Sequence, residues 1–303
     1  MKRLVRVALV SFFLCMSLVR LNSAETKAAV PVINYAPTID TLFVSDKPKI
    51  GNISLTGFTP NEGRMKTLYV RGTITDRNRC TDLKTVEIKV YRSGVYNTCT
   101  QNLLSCYATS TSIFTSCNPT GDNVASFEAS VDIAYFADPT DPGSENANEY
   151  WFAEATILDQ DLTRYTASTH FELNSLAAVE AIQDISYGTV ALGKISNQQA
   201  IGLRNAGNRN VQGRVRANED FKSNRKGFKN IPSTQVRISL KDDFKWIEGA
   251  PIGRQDIELP INLSRQLSEK TPLIKNAFLR LQMPESAVGG TYTNTLTFTA
   301  WAY

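Results

Sequence analysis

Five cysteines and a single histidine are the residues of this chain best suited to covalent or metal chemistry, and their spacing separates the possible uses. Cys15 sits inside an apolar stretch near the N-terminus, which leaves Cys80, Cys99, Cys106 and Cys117. No Cys-x-x-Cys pair occurs and His170 is the only imidazole, so a zinc site lacks its usual ligand spacing. An even number of cysteines behind a leader predicts two disulfides formed in an oxidising compartment. Four cysteines allow three connectivities, and each places one bridge within the 99–117 trio and ties Cys80 to the remaining member. His170 and Glu172 alternate with Thr169, Phe171 and Leu173, which places the histidine on the outer face of a strand and argues against a Ser–His–acid triad. No catalytic spacing is recognisable elsewhere, so no enzyme activity is expected.

Carboxylates are the second candidate. From Asp122 to Asp161 there are ten acids and no base. Calcium takes several carboxylate and carbonyl oxygens, which loops at one end of a β-sandwich can supply. Asp76, Asp138, Asp141, Asp159 and Asp161 are the candidate ligands, although no Asp-x-Asp-x-Asp-Gly loop is present and Asp is also an ordinary turn residue. Apart from calcium, no cofactor is expected. The glycines of Gly188–Ile195 fall one residue short of a phosphate-binding loop and lead into another strand, so they read as turn residues. Tyr150, Phe152, Trp246, Trp301 and Tyr303 could stack on sugar rings, whereas Trp151, alternating with Ala153, Ala155 and Ile157, reads as core.

The elements that must carry these residues are strands. The chain has 303 residues, 20% charged and 42% hydrophobic, as a folded soluble protein has. Residues 1–24 have the basic start and short apolar run of a secretory signal, with cleavage after Ala24 or, alternatively, Ala28. An N-terminal extension over 25–36 follows. No later stretch reaches the length of a membrane span. Short alternating runs then recur between Gly, Pro, Asn and Asp punctuation, which predicts an all-β chain of two tandem β-sandwiches over 37–175 and 176–303. In the first, Leu68, Val70 and Ile74 face one way and Val86, Ile88 and Val90 another core position, with period two. A loop of about thirty residues holding three cysteines is expected between strands near 91 and 125. In the second, strands are expected at Ile185–Val190, Gln199–Asn205, Val211–Ala217, Val236–Leu240, Ile257–Ile261, Phe278–Gln282 and Tyr292–Trp301. Residues 263–276 admit a short helical turn, and the strand count of 218–256 stays open.

Charge divides the same way. The leader holds four bases and no acid, leaving 29 of each in the remainder, so there is no basic excess for nucleic acid. Residues 25–175 carry 18 acids and 12 bases, and residues 176–303 carry 11 acids and 17 bases. Arg204, Arg214, Arg216, Arg225 and Lys226 mark the basic side. An acidic end of one module could meet a basic end of another, within one chain or head-to-tail between chains. The basic patch could also take a polyanionic cell-wall polymer, another polysaccharide or a lipid headgroup.

Asp184–Gly193 followed by Leu203-Arg204-Asn205-Ala206-Gly207-Asn208 resembles the opening strands of a Hydin-type Ig-like module. Pro284 and Ala287–Tyr292 resemble the turn before the last strand of secreted bacterial Ig-like domains. Asn34–Ile39 with Thr75-Asp76 resembles the first strand and B–C corner of a cadherin- or fibronectin-like sandwich. The resemblance implies an exported bacterial surface protein with tandem Ig-like modules, secreted or held at the cell surface. It implies a structural or adhesive part in the envelope, with other envelope or surface proteins as partners. The alternative function is a carbohydrate-binding or calcium-dependent adhesion module of an extracellular assembly.

Overall fold

The computed structural model describes residues 33–48, 54–111, 114–118, 121–268 and 273–302. The signal-peptide reading of residues 1–24, the first part of the expected extension, Cys15 and Tyr303 lie outside them. Among the described residues no helix is long and apolar enough to cross a membrane, and the helical elements are short 3-10 turns.

Among the described residues nine strands build the first half: β1 (Thr38–Ser45), β2 (Gly57–Phe58), β3 (Lys66–Thr75), β4 (Leu83–Arg92), β5 (Cys106–Thr111), β6 (Phe114–Thr115), β7 (Val124–Ile133), β8 (Trp151–Asp159) and β9 (Arg164–Leu173). They form two sheets ordered β1-β3-β7-β6 and β2-β9-β8-β4-β5. All pairings are antiparallel except β2 with β9. The period-two alternation is what closes the sandwich. Leu68, Val70 and Ile74 of one sheet and Val86, Ile88, Val90, Trp151, Ala153, Ala155 and Ile157 of the other are fully buried in one shared core. Most of their neighbours in sequence, on the opposite face, are partly or fully exposed.

The second half holds β10 (Val179–Ala181), β11 (Gln199–Asn205), β12 (Val211–Ala217), β13 (Lys222–Ser223), β14 (Val236–Ser239), β15 (Ala250–Pro251), β16 (Ile257–Leu263), β17 (Ile274–Leu281), β18 (Tyr292–Thr293) and β19 (Leu296–Ala302). Its sheets run β10-β11-β17-β14-β15 and β16-β12-β19, with β13-β18 as a separate ribbon. A second core, centred on Leu203, Val211, Val215, Val236 and Leu279, lies between the two larger sheets. Two facing, mainly antiparallel sheets around one core, twice along the chain, make an all-β fold of two tandem Ig-like sandwiches.

Two expectations change, and one open stretch is partly described. Ile185–Val190 is not a strand: Ile185 and Tyr187 pack against the second core, but Gly188 and Gly193 at φ 63° and 71° turn the chain out of any ladder. The cysteine-rich segment is not an unstructured loop, because β5 pairs with β4 and β6 with β7. Between Leu263 and Ile274 the described residues contain no helical turn.

Candidate functional site

Two disulfides, Cys80–Cys117 and Cys99–Cys106, use all four candidate cysteines. The first ties the turn before β4 to the stretch after β6, and the second closes a loop of seven residues against the start of β5.

The five candidate calcium ligands do not converge. The β3–β7 ladder pairs Thr75 with Val124 at one end and Lys66 with Ile133 at the other. Ten paired residues at about 3.3 Å each therefore put about 30 Å between the Asp76 end and the Asp138 end. At the first end Asp76 and Asp159 are fully buried. Asp76 Oδ1 accepts from the Asn78 amide at 2.8 Å, while Oδ2 is buried with no hydrogen-bond partner. Burial, and then the nearby Asp82 and Asp159 charges, raise the Asp76 carboxyl above its ordinary 3.8. Asp82 is raised likewise by burial and by Asp159 and Asp161. Among the described residues no three His, Cys, Asp or Glu side chains gather as a metal would require.

At the other end Asp138 and Asp141 serve the joint between the sandwiches. Asp138 accepts from Arg92 Nε at 3.1 Å and from Arg265 Nη1 at 2.8 Å, and its carbonyl accepts the Trp151 indole N–H at 2.8 Å. Arg92 also pairs with Glu149, and Arg265 reaches Glu145 at 3.3 Å. Arg265 belongs to the second half, so a base of that half docks into the acidic end of the first. Tyr135 donates its hydroxyl to Gln266 Oε1 beside this pair. Asp141 Oδ1 accepts from the Ser175 hydroxyl at 2.6 Å.

The connecting backbone is clamped by the turn Asn205–Asn208. Fully buried Asn208 accepts from the Leu176 amide at 2.6 Å through Oδ1 and donates to the Asn174 carbonyl at 3.0 Å through Nδ2. The Asn208 amide donates to the Leu176 carbonyl at 3.0 Å, and the Gly63 amide of the first half donates to the Ala206 carbonyl at 2.8 Å. Gly207 is required there, since a Cβ would lie 2.0 Å from the Leu176 oxygen. A cleft of about 470 Å³ opens alongside, lined by residues including Glu62, Arg64, Glu180 and Arg204.

The basic candidates are dispersed and mostly paired. Arg204 forms a 2.7 Å pair with Glu180 at the joint. Arg214 meets Glu258 at 3.4 Å and lies over the Trp301 ring, and Arg216 is 3.8 Å from Asp256. Arg225 lies over Phe228, and Lys226 is exposed in the same turn. Of the aromatic candidates, Trp246 is covered by Arg237, Trp151 is core, and Tyr150 and Phe152 lie on the outer side of β8 with exposed His170.

Arg92, Arg265, Gly207 and Asn208 carry the joint and are not among the residues picked out from sequence chemistry. The Asn-Ala-Gly-Asn turn was the available signal, since two amide side chains flanking a glycine suit a site where backbone meets backbone.

The chain matches no protein-family profile and no curated protein sequence. Among solved structures it is similar to titin domains Z1Z2 in complex with telethonin, at 13% identity over 89% of this chain and 95% of that one, with a TM-score of 0.20. It is also similar to the C-terminal domain of the AgI/II polypeptide BspA of Streptococcus agalactiae, at 11% identity over 87% and 95%, with a TM-score of 0.24. Both likenesses are remote, and the fold assignment rests on the sheets themselves.

Proposed function

We propose that this chain is a non-enzymatic, exported structural or adhesive component of a bacterial cell envelope or surface, in which two sandwiches act as one stiff unit. The observation that carries this reading is the clamped joint. A linker whose amide, carbonyl and flanking charges are all engaged transmits force and orientation, where a free linker would let the modules swing. The two disulfides support an oxidising, extracytoplasmic location. The docking of Arg265 on Asp138 and Glu145 favours the intramolecular use of the charge asymmetry over head-to-tail assembly.

Protease shaving of intact producing cells, with the Cys80–Cys117 peptide sought under non-reducing conditions, tests the placement. Recovery of the bridged peptide from the cell surface or medium is expected. Recovery solely from the cytosol, with free thiols, overturns the reading.

A calcium-dependent form of the same role has one supporting observation, the partnerless Oδ2 of Asp76 next to Asp82 and Asp159. Any ion would sit at that end, away from Asp138 and Asp141, and would draw on backbone carbonyls, because no three side-chain ligands gather there among the described residues. Added calcium should then raise the melting temperature of the parent protein and leave that of Asp76→Asn unchanged. An equal response in both removes calcium from the site.

A further inference from the structure

The outer face of β4, β8 and β9 presents a continuous row of rings. Strand register places Tyr91 opposite Phe152 and Phe152 opposite His170, all on the face away from the core because Val90, Trp151 and Phe171 occupy the core side, although Tyr91 itself is buried. Tyr91 and Phe152 stack with centroids 5.9 Å apart, and Phe152 and His170 are 6.1 Å apart. The row is extended at both ends. Tyr96, 58% exposed, leans on Tyr91 at 5.4 Å, and Tyr150, 47% exposed, meets His170 edge-on at 5.3 Å.

One step along the same face, register pairs Lys89 with Glu154. Together with Tyr91, Tyr96, Asn97 and Cys99 they line a hollow of about 230 Å³. Burial, and then the adjacent Glu154 charge, keep the Tyr91 phenol protonated, and it donates to Glu154 Oε2 at 3.1 Å. The loop bearing Tyr96 and Asn97 is pinned at both ends. The Gly94 amide donates to Glu149 Oε2 at 2.7 Å, where a Cβ would come within 2.5 Å of that carboxylate, and Cys99 is bonded to Cys106. A bridge across seven residues thus fixes a loop over an exposed aromatic face.

We propose that this face is a binding site for a neutral glycan chain, whose rings stack along Tyr96, Phe152 and Tyr150 and whose hydroxyls meet Glu154, Lys89 and Asn97. The charge of the site selects this occupant. One lysine and one glutamate leave the hollow neutral, with acceptors and donors for hydroxyl groups. A stacked single-stranded nucleic acid would need a cationic track, and the 18 acids against 12 bases of residues 25–175 oppose one. An apolar protein partner would desolvate Lys89 and Glu154 without pairing them. Rigid rings held by each other and by a bridge lose little freedom on binding. The inference does not depend on the stiff-unit reading.

Titration calorimetry of the whole protein with the hexaoses of cellulose, chitin, xylan and mannan tests the site. At least one is expected to bind. Tyr96→Ala and Tyr150→Ala should each weaken it about tenfold, the scale of one lost ring contact, at an unchanged melting temperature. Joint Cys99→Ala and Cys106→Ala replacement should also weaken it, whereas Tyr96→Phe and, on the second sandwich, Trp246→Ala should not. Failure of all four hexaoses to bind overturns the proposal. So does binding indifferent to Tyr96 and Tyr150, or binding of a proline-rich peptide or an oligothymidine in place of the glycans.

Discussion

Replacing Arg265 by alanine should loosen the joint between the sandwiches by an amount the structure bounds. The Arg265 and Asp138 side chains are 13% and 10% exposed and 2.8 Å apart, so solvent screens the contact little. A hydrogen bond between charged groups in that setting contributes about 1.5–3 kcal/mol. The second contact, to Glu145 at 65% exposure, adds about 0–1 kcal/mol. Asp138 keeps Arg92 at 3.1 Å after the change, so no bare buried carboxylate is left to raise the cost. The expected loss is about 1.5–4 kcal/mol. Urea denaturation of the parent, Arg265→Ala, Asp138→Asn and the double variant gives the coupling directly, with about 1.5–3 kcal/mol expected. Small-angle scattering on the same proteins should show a broader distribution of sizes wherever either member of the pair is replaced. A coupling below about 0.5 kcal/mol, which independent sites would show, together with unchanged scattering, refutes the argument that this pair holds the joint.

Gly207→Ala should be more damaging than Arg265→Ala in the same scattering experiment, because its Cβ displaces the Leu176 carbonyl and breaks the Asn208 clamp. Labelling of the denatured, non-reduced protein should find no free thiol among Cys80, Cys99, Cys106 and Cys117. By chain entropy, loss of the 37-residue bridge costs about 4 kcal/mol and loss of the seven-residue bridge about 2 kcal/mol, measured as denaturation midpoints. Asp76 has a folded pKa above 3.8, so its contribution is fully present below that value and is lost as pH rises through the folded pKa. Asp76→Asn, which keeps an acceptor for the Asn78 amide, should therefore gain about 1–3 kcal/mol over the parent at neutral pH in calcium-free buffer. That gain should vanish in melts below pH 3.8. Sedimentation from low to high salt should show a monomer throughout, since Arg265 of the second half docks on Asp138 of the first within the chain; salt-sensitive assembly would restore the head-to-tail model.

Some of this molecule was legible in its residues alone, and the division has a physical basis. Alternation is a local property of an extended backbone, so Val86, Ile88 and Val90, and Trp151 through Ile157, could be assigned to a core without knowing their partners. The even set of four cysteines likewise announced bridges, and His170 declared an outer strand position. Where alternation met glycines at positive φ the inference failed. Ile185–Val190 shows strand periodicity, yet Gly188 and Gly193 bend it away from the neighbours that would supply ladder hydrogen bonds.

Partners across the fold were another matter. Asp76 and Asp138 read alike in sequence, but the length of the β3–β7 ladder separates them, and only one faces a guanidinium. Arg265 lies 127 residues from Asp138, and Tyr91, Phe152 and His170 come from three strands. Which cysteine Cys80 meets, which arginine crosses the joint and which rings stand in one row depend on sheet order and register. Those are set by closing two cores at once, a sum over many weak contacts that no short stretch of residues contains.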